Sequence, residues 1–259
     1  MNLAELFESK EIVITAHRGF SGKYPENTIL SLEKAVEIGA DIIEFDLRST
    51  SDSVPVVLHD ETIDRTSNGS GEVWRHTHDE LRGLNFSMFV GTHDTKYRRD
   101  TPAVDGLTIP TFKEVLDALA HRTCMNIQVY RNSDDSLAKI CSLYDQFDLY
   151  ETAYLTMSTY KDASRVRAIN PRIELCVLER AHPMDEASLR KQKEFGLTYI
   201  QPTWRDVTPE LCEVARKLGL RSSMFFSNTD EDTRKYIGYG QQGIMTDCPD
   251  IVLRTLDTL

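Results

Sequence analysis

The sequence predicts an α/β fold, a (β/α)8 TIM barrel with a small inserted subdomain after its second strand. Short apolar runs alternate with helix-period stretches from end to end, as parallel strands joined by crossover helices require. Eight such strand–helix units can be counted, which favours closure into a barrel over an open, doubly wound sheet. The 259 residues suit one barrel, and no break in composition divides them, so residues 1–259 read as a single domain. Apolar residues make up 40%, enough to fill a large core.

The first strand is Ile12 to Ala16. A helix fits Thr28 to Ile38, with Asn27 as its N-cap and Gly39 just past its end. The second strand is Ile42 to Leu47. A short strand, Val56 to Leu58, then opens a long polar, Gly-containing connection; its insertion spans approximately residues 60–107, and a connection of this length inside a barrel is usually functional. After Pro110, Thr111 and Glu114 form a capping box that starts the next helix. The remaining strands are Met125–Tyr130, Ala153–Met157, Ile173–Leu178, Leu197–Ile200, Leu220–Phe226 and Gly243–Thr246. Helices fit between them, such as Pro209 to Leu218, which stops at Gly219.

Charge narrows the function classes. The formal net charge is −11 and no Lys/Arg run occurs, which argues against nucleic acid and anionic membrane surfaces as partners. The first ten residues carry Glu5 and Glu8 and no long apolar stretch, so neither a signal peptide nor a membrane span is expected there. The five cysteines are scattered, with no CxxC pair, and read as free thiols. Together these predict a cytoplasmic chain without integral membrane association. Nothing in the sequence specifies an oligomeric state.

Chemistry is expected at the C-terminal ends of the strands. The first strand delivers His17 and Arg18 there. The second carries Glu44 and Asp46 two residues apart, hence on one face of the sheet. Two inward carboxylates repel unless a cation lies between them, and oxygen ligands favour one divalent metal ion, Mg²⁺ or Ca²⁺. His59, with Asp60, ends the short strand. Each feature alone is commonplace, but all five groups fall at the same end of neighbouring strands.

In this order the residues resemble the signature of the glycerophosphodiester phosphodiesterase family. The matching elements are His17-Arg18-Gly19, Pro25-Glu26-Asn27-Thr28, Gly39-Ala40-Asp41, Glu44-Phe45-Asp46, His59-Asp60, Arg65 to Gly71, Ile109-Pro110-Thr111 and Gly243 to Asp250. The resemblance implies His17 and His59 as general acid and base, Arg18 as the phosphate grip, and Glu44 and Asp46 as metal ligands. It implies a small-molecule phosphodiester substrate.

The chain departs from that pattern at the third strand. Where the family has a motif like N-I-E-I-K, this sequence reads Asn126-Ile127-Gln128-Val129-Tyr130. Gln128 stands in the place of a metal-binding glutamate and Tyr130 in that of a phosphate-binding lysine. Glu179 and Asp206 are the candidates for a compensating ligand. Phe225 replaces a tryptophan that packs on glycerol, and Ser53 a turn glycine. Three readings follow: metal-dependent hydrolysis of glycerophosphodiesters to glycerol 3-phosphate and an alcohol; a phosphodiesterase or cyclising lyase of altered specificity; or a weakened phosphodiester-binding barrel.

Overall fold

Eight parallel strands run around a nearly closed barrel, each side chain alternating between the lumen and the surrounding helices. The computed structural model describes residues 2–95, 98–130, 132–180 and 182–259. The parallel strands are β1 (Val13–Ala16), β2 (Ile42–Ser49), β4 (Cys124–Val129), β5 (Ala153–Met157), β6 (Leu175–Val177), β7 (Tyr199–Ile200), β8 (Arg221–Phe225) and β9 (Gly243–Thr246). The order across the sheet is β6-β5-β4-β2-β1-β9-β8-β7, so the seam lies between β6 and β7. The short strand is β3 (Pro55–Val57), paired antiparallel to β2. Every predicted strand is present, within two residues at each end.

One helix start is corrected. The helix after β1 is α2 (Ile29–Glu37), and its N-cap is Thr28, whose hydroxyl accepts from Ser31 N–H. Asn27 sits one residue earlier with φ 56° and is occupied elsewhere. Its side-chain amide donates to Asp46 Oδ2 at 2.8 Å and accepts from Asp46 N–H at 3.2 Å. An asparagine before a helix is an ambiguous signal, because the amide that caps a helix also reads a neighbouring strand.

Outward residues of β2 and β4, Ile43, Phe45, Leu47, Ile127 and Val129, are buried against the helical layer. Phe45 meets Phe112 of α4 (Phe112–Leu119) with ring centroids 6.1 Å apart. Burying such a side chain contributes about 1.5–3 kcal/mol. The lumen is layered by the period-two alternation. Its floor is apolar: Val13, Ile42, Cys124, Tyr154, Cys176 and Tyr199, closed from below by Leu3, Leu6 and Phe7 of α1 (Leu3–Ser9). Its middle is polar. Thr156 donates to Asn126 Oδ1, Asn126 to Gln201 Oε1 at 3.0 Å, and Thr15 and Ser223 hydroxyls lie 3.1 Å apart. The charged groups form the top.

The connection from β3 to α4 has a small apolar cluster of its own, Val56, Leu58, Ile63, Val73, Leu81, Phe86 and Ile109. It contains a 3₁₀ turn, Val73–Arg75, and α3 (His78–Arg82). Ser53 takes φ 58°, the left-handed turn conformation for which a glycine would be expected. Among the described residues, no two cysteines are joined in a disulfide. Among the described residues, no helix is long and apolar enough to cross a membrane.

Candidate active site

The turn after β1 places the first two site residues by a forced backbone path. Arg18 has φ 55° and Gly19 φ 79°. A Cβ on Gly19 would lie 2.6 Å from Ser31 O, so only glycine lets the turn pack on α2. The left-handed Arg18 backbone costs roughly 1 kcal/mol. Its N–H donates to Glu44 Oε2 at 2.9 Å, which ties the turn to β2.

Two histidines face one cavity, and each leans on an aspartate. His17 Nδ1 lies 2.6 Å from Asp247 Oδ1. Asp247 is itself buried and accepts from Ser21 Oγ at 3.1 Å, His93 N–H at 2.6 Å and Asn228 Nδ2 at 2.7 Å. Burial alone would raise the Asp247 carboxyl, but His17, with His93 N–H and Asn228, holds it well below the usual range. His59 Nδ1 lies 2.7 Å from Asp60 Oδ1. With Nδ1 engaged in both rings, Nε2 is the nitrogen left for chemistry.

A chain of charges joins the second histidine to the first turn. Asp60 accepts from Arg65 Nε at 2.7 Å, and Arg65 holds Glu26 by two bonds of 2.7 Å. Glu26 in turn accepts from Arg18 Nη1 at 2.9 Å. Burial pushes the Glu26 carboxyl up, but Arg18 and Arg65 outweigh it and hold the pKa at about 2. Arg18 is buried, which disfavours its charge, yet Glu26, Asp46 and Glu44 raise its pKa above the ordinary value. Arg18 Nε is 3.3 Å from Asp46 Oδ2 but makes no hydrogen bond, so that contact is ionic only and one buried donor stays unspent.

Glu44 and Asp46 are both buried at the top of β2, where the ladder pairs Asp46 with Gln128 of β4. Burial first, then the neighbouring Asp46, drives the Glu44 carboxyl well above its ordinary pKa. Gln128 Nε2 donates to the Tyr130 hydroxyl. Among the described residues, Gln128 Oε1 makes no hydrogen bond, and no three His, Cys, Asp or Glu side chains converge as a ligand set. Tyr130 stands edge-on to His59 at 5.4 Å, with the Arg48 guanidinium 4.4 Å from its ring. Phe225 meets His17 edge-on at 5.0 Å.

His17, Arg18, Asp46, His59, Gln128, Tyr130 and Phe225 all line one cavity of roughly 380 Å³. Glu44 lies just behind it, tied to the Arg18 N–H. The two compensating candidates are corrected. Glu179 is paired with Lys191 at 2.9 Å, and Asp206 accepts from Thr203 N–H at 2.8 Å and Met184 N–H at 3.1 Å. Neither lines the cavity. Among the lining residues that can carry charge, His93 and Arg180 were not anticipated. Arg180 stands two residues past the predicted strand Ile173–Leu178, so its place near a strand's C-terminal end was a usable signal. His93 lies in the insertion, where no periodicity marks it.

The profile of the glycerophosphoryl diester phosphodiesterase family matches residues 17–251, which include every residue of this cluster. The chain belongs to that family. A glycerophosphodiester phosphodiesterase of Bacillus subtilis is 28% identical over 258 residues, covering 95% of this chain and 87% of its own. One from Caldanaerobacter subterraneus is 28% identical over 248 residues, covering 93% and 96%. Among solved structures, a phosphodiesterase of Oleispira antarctica in complex with the product sn-glycerol-3-phosphate superposes with a TM-score of 0.82 at 21% identity, covering 95% and 96%. A glycerophosphodiester phosphodiesterase from Agrobacterium tumefaciens gives 0.77 at 24%, covering 94% and 99%. Family membership makes the chain a phosphoric diester hydrolase and the cavity its candidate active site.

Proposed function

We propose that the chain hydrolyses glycerophosphodiesters to glycerol 3-phosphate and an alcohol, using His17 and His59 as the general acid–base pair. The observation that carries this is the facing pair of His–Asp contacts, His17 with Asp247 and His59 with Asp60, on one cavity with Arg18. Each aspartate fixes its ring with Nδ1 as donor, leaving Nε2 as a base when neutral and an acid when protonated. One Nε2 takes a proton from the water that attacks phosphorus. The other gives a proton to the departing alcohol oxygen. Arg18, anchored by Glu26, presents its remaining N–H groups to the phosphoryl oxygens. Phe225 beside His17 offers an apolar face to the glycerol carbons. Two intact His–Asp pairs support turnover over mere binding.

A divalent cation, Mg²⁺ or Ca²⁺, fits the donor set. Four carboxylates (Glu26, Glu44, Asp46 and Asp60) face two arginines, Arg18 and Arg65, so the cluster is short of positive charge. Burial first, then the neighbouring Asp46, raises the Glu44 pKa, and a bound cation would oppose both. Glu44, Asp46 and Gln128 Oε1 are the residues that would hold the ion. When bound, it would neutralise charge on the phosphoryl oxygens.

Release of glycerol 3-phosphate tests the reading. Wild type, incubated with glycerophosphodiesters in EDTA and then with Mg²⁺, Ca²⁺ or Mn²⁺, is expected to form product only with metal. Equal rates in EDTA would remove the metal from the proposal, and a cyclic phosphate product would replace hydrolysis with cyclisation.

A further inference from the structure

We infer that Arg180 makes the outer half of the cavity selective for alcohol moieties that bear an anionic group or no charge, and disfavours those whose only charge is an ammonium. This rests on the hydrolase reading above and names the class of substrate it takes.

Arg180 follows β6, on the side of the barrel away from β2. It lies exposed at the cavity mouth, with its guanidinium 5.6 Å from the Phe225 ring. Among the described residues it makes no hydrogen bond or ion pair. In this it differs from the arginines deeper in the site: Arg18 and Arg65 are tied to carboxylates, and Arg48 donates to His59 O at 2.6 Å. Nearby protein lowers its pKa, and Asp206 offsets this only in part, from beyond ion-pair range among the described residues. An arginine held so, in a chain of net charge −11, has its charge free for a ligand.

The remaining lining at that end is Tyr130, Ser158, Leu178 and Phe225. Among the described residues, Asp46 is the only carboxylate that lines the cavity, and it is spoken for by Asn27 and Arg18 on the far side. A choline or ethanolamine group placed at the mouth meets a guanidinium and no compensating anion. A carboxylate, phosphate or polyol there meets a planar donor fork and two hydroxyls. Specificity therefore includes a repulsive element as well as an attractive one.

The test separates selectivity from turnover. Binding of glycerophosphoserine, glycerophosphoinositol and glycerophosphocholine is titrated on His17→Ala, alone and combined with Arg180→Ala or Arg180→Glu. Turnover of the same three is measured on wild type. His17→Ala should bind the serine and inositol compounds about tenfold more tightly than the choline one, the size of one charge-assisted contact. Arg180→Ala should shrink that ratio, and Arg180→Glu should invert it. A ratio near one with Arg180 present, or one that Arg180→Glu leaves in place, overturns the assignment. Equal weakening of all three ligands by Arg180→Ala also overturns it, since the guanidinium would then act on the shared phosphodiester. Failure of wild type to turn over any of them would instead strike the hydrolase reading, while the binding ratios still decide the role of Arg180.

Discussion

His17 Nδ1 sits 2.6 Å from Asp247 Oδ1, a contact between the turn after the first strand and the end of the last, 230 residues apart. Asp247 is saturated by three further donors, so it cannot swing away from the ring. A carboxylate in this position fixes the tautomer and steadies the imidazolium that forms during turnover. Asp247→Asn should keep the fold and lower kcat by at least about tenfold, with KM little changed. Steady-state kinetics checks it; an unaltered kcat would reduce Asp247 to a structural tie.

His17→Ala and His59→Ala should each lower kcat by about 10² to 10⁴-fold while circular dichroism and melting stay near wild type. His59 is the more exposed of the two, so its loss should disturb stability least. Near-normal turnover in either variant would end that residue's assignment.

Acid stability should depend on Glu26. Its folded pKa is about 2, below the unfolded value of about 4.3. A group depressed on folding contributes stability that is fully present above the unfolded pKa and is lost as pH falls through the folded one. Wild type should therefore exceed Glu26→Gln in stability by about 3 kcal/mol at neutral pH, a gap that closes between about pH 4.5 and pH 2. Denaturant unfolding of both proteins across that range is the check. A constant gap would mean that the Arg18–Glu26–Arg65 contacts contribute little through charge.

The barrel was legible because its signal is repeated: every strand is a short apolar run, and each misplaced boundary left the order intact. The cluster at the top was legible where chemistry and spacing coincide, as in Glu44 and Asp46 two apart on one strand. It was not legible where a residue's partner lies far away in sequence. Asn27 looks like a helix cap until β2 is brought against it, and then its amide reads Asp46. Glu179 and Asp206 follow strand ends yet turn to Lys191 and to their own loop. Arg180, one residue after Glu179, lines the cavity instead. Sequence proximity to a strand end does not fix which way the chain turns once it leaves the strand.

Metal affinity should respond to Gln128. Its carbonyl adds no charge, and affinity for hard cations rises with the number of charged ligands. Gln128→Glu puts a third carboxylate beside Asp46, its ladder partner, so the metal-free protein should melt lower than wild type. Added Mg²⁺ or Ca²⁺ should then raise its melting temperature by more than it raises that of wild type. Equal shifts would remove Gln128 from the ligand set.

Tyr130 and Gln128 are bonded to one another, so their substitutions should not be additive. The Tyr130 ring stands edge-on to His59 and beneath the Arg48 guanidinium. Tyr130→Lys alone would set an ammonium against Arg48 and strip the packing from His59, and kcat/KM should fall, although a lysine is the residue the family pattern leads one to expect there. Gln128→Glu with Tyr130→Lys restores an anion beside the new cation. The double variant should therefore be more active than Tyr130→Lys alone, with a coupling of about 0.5–3 kcal/mol across the cycle. Measuring kcat/KM for the four proteins decides it. Strict additivity would mean that the two positions act separately, and that the tyrosine does not depend on the neutral side chain beside it.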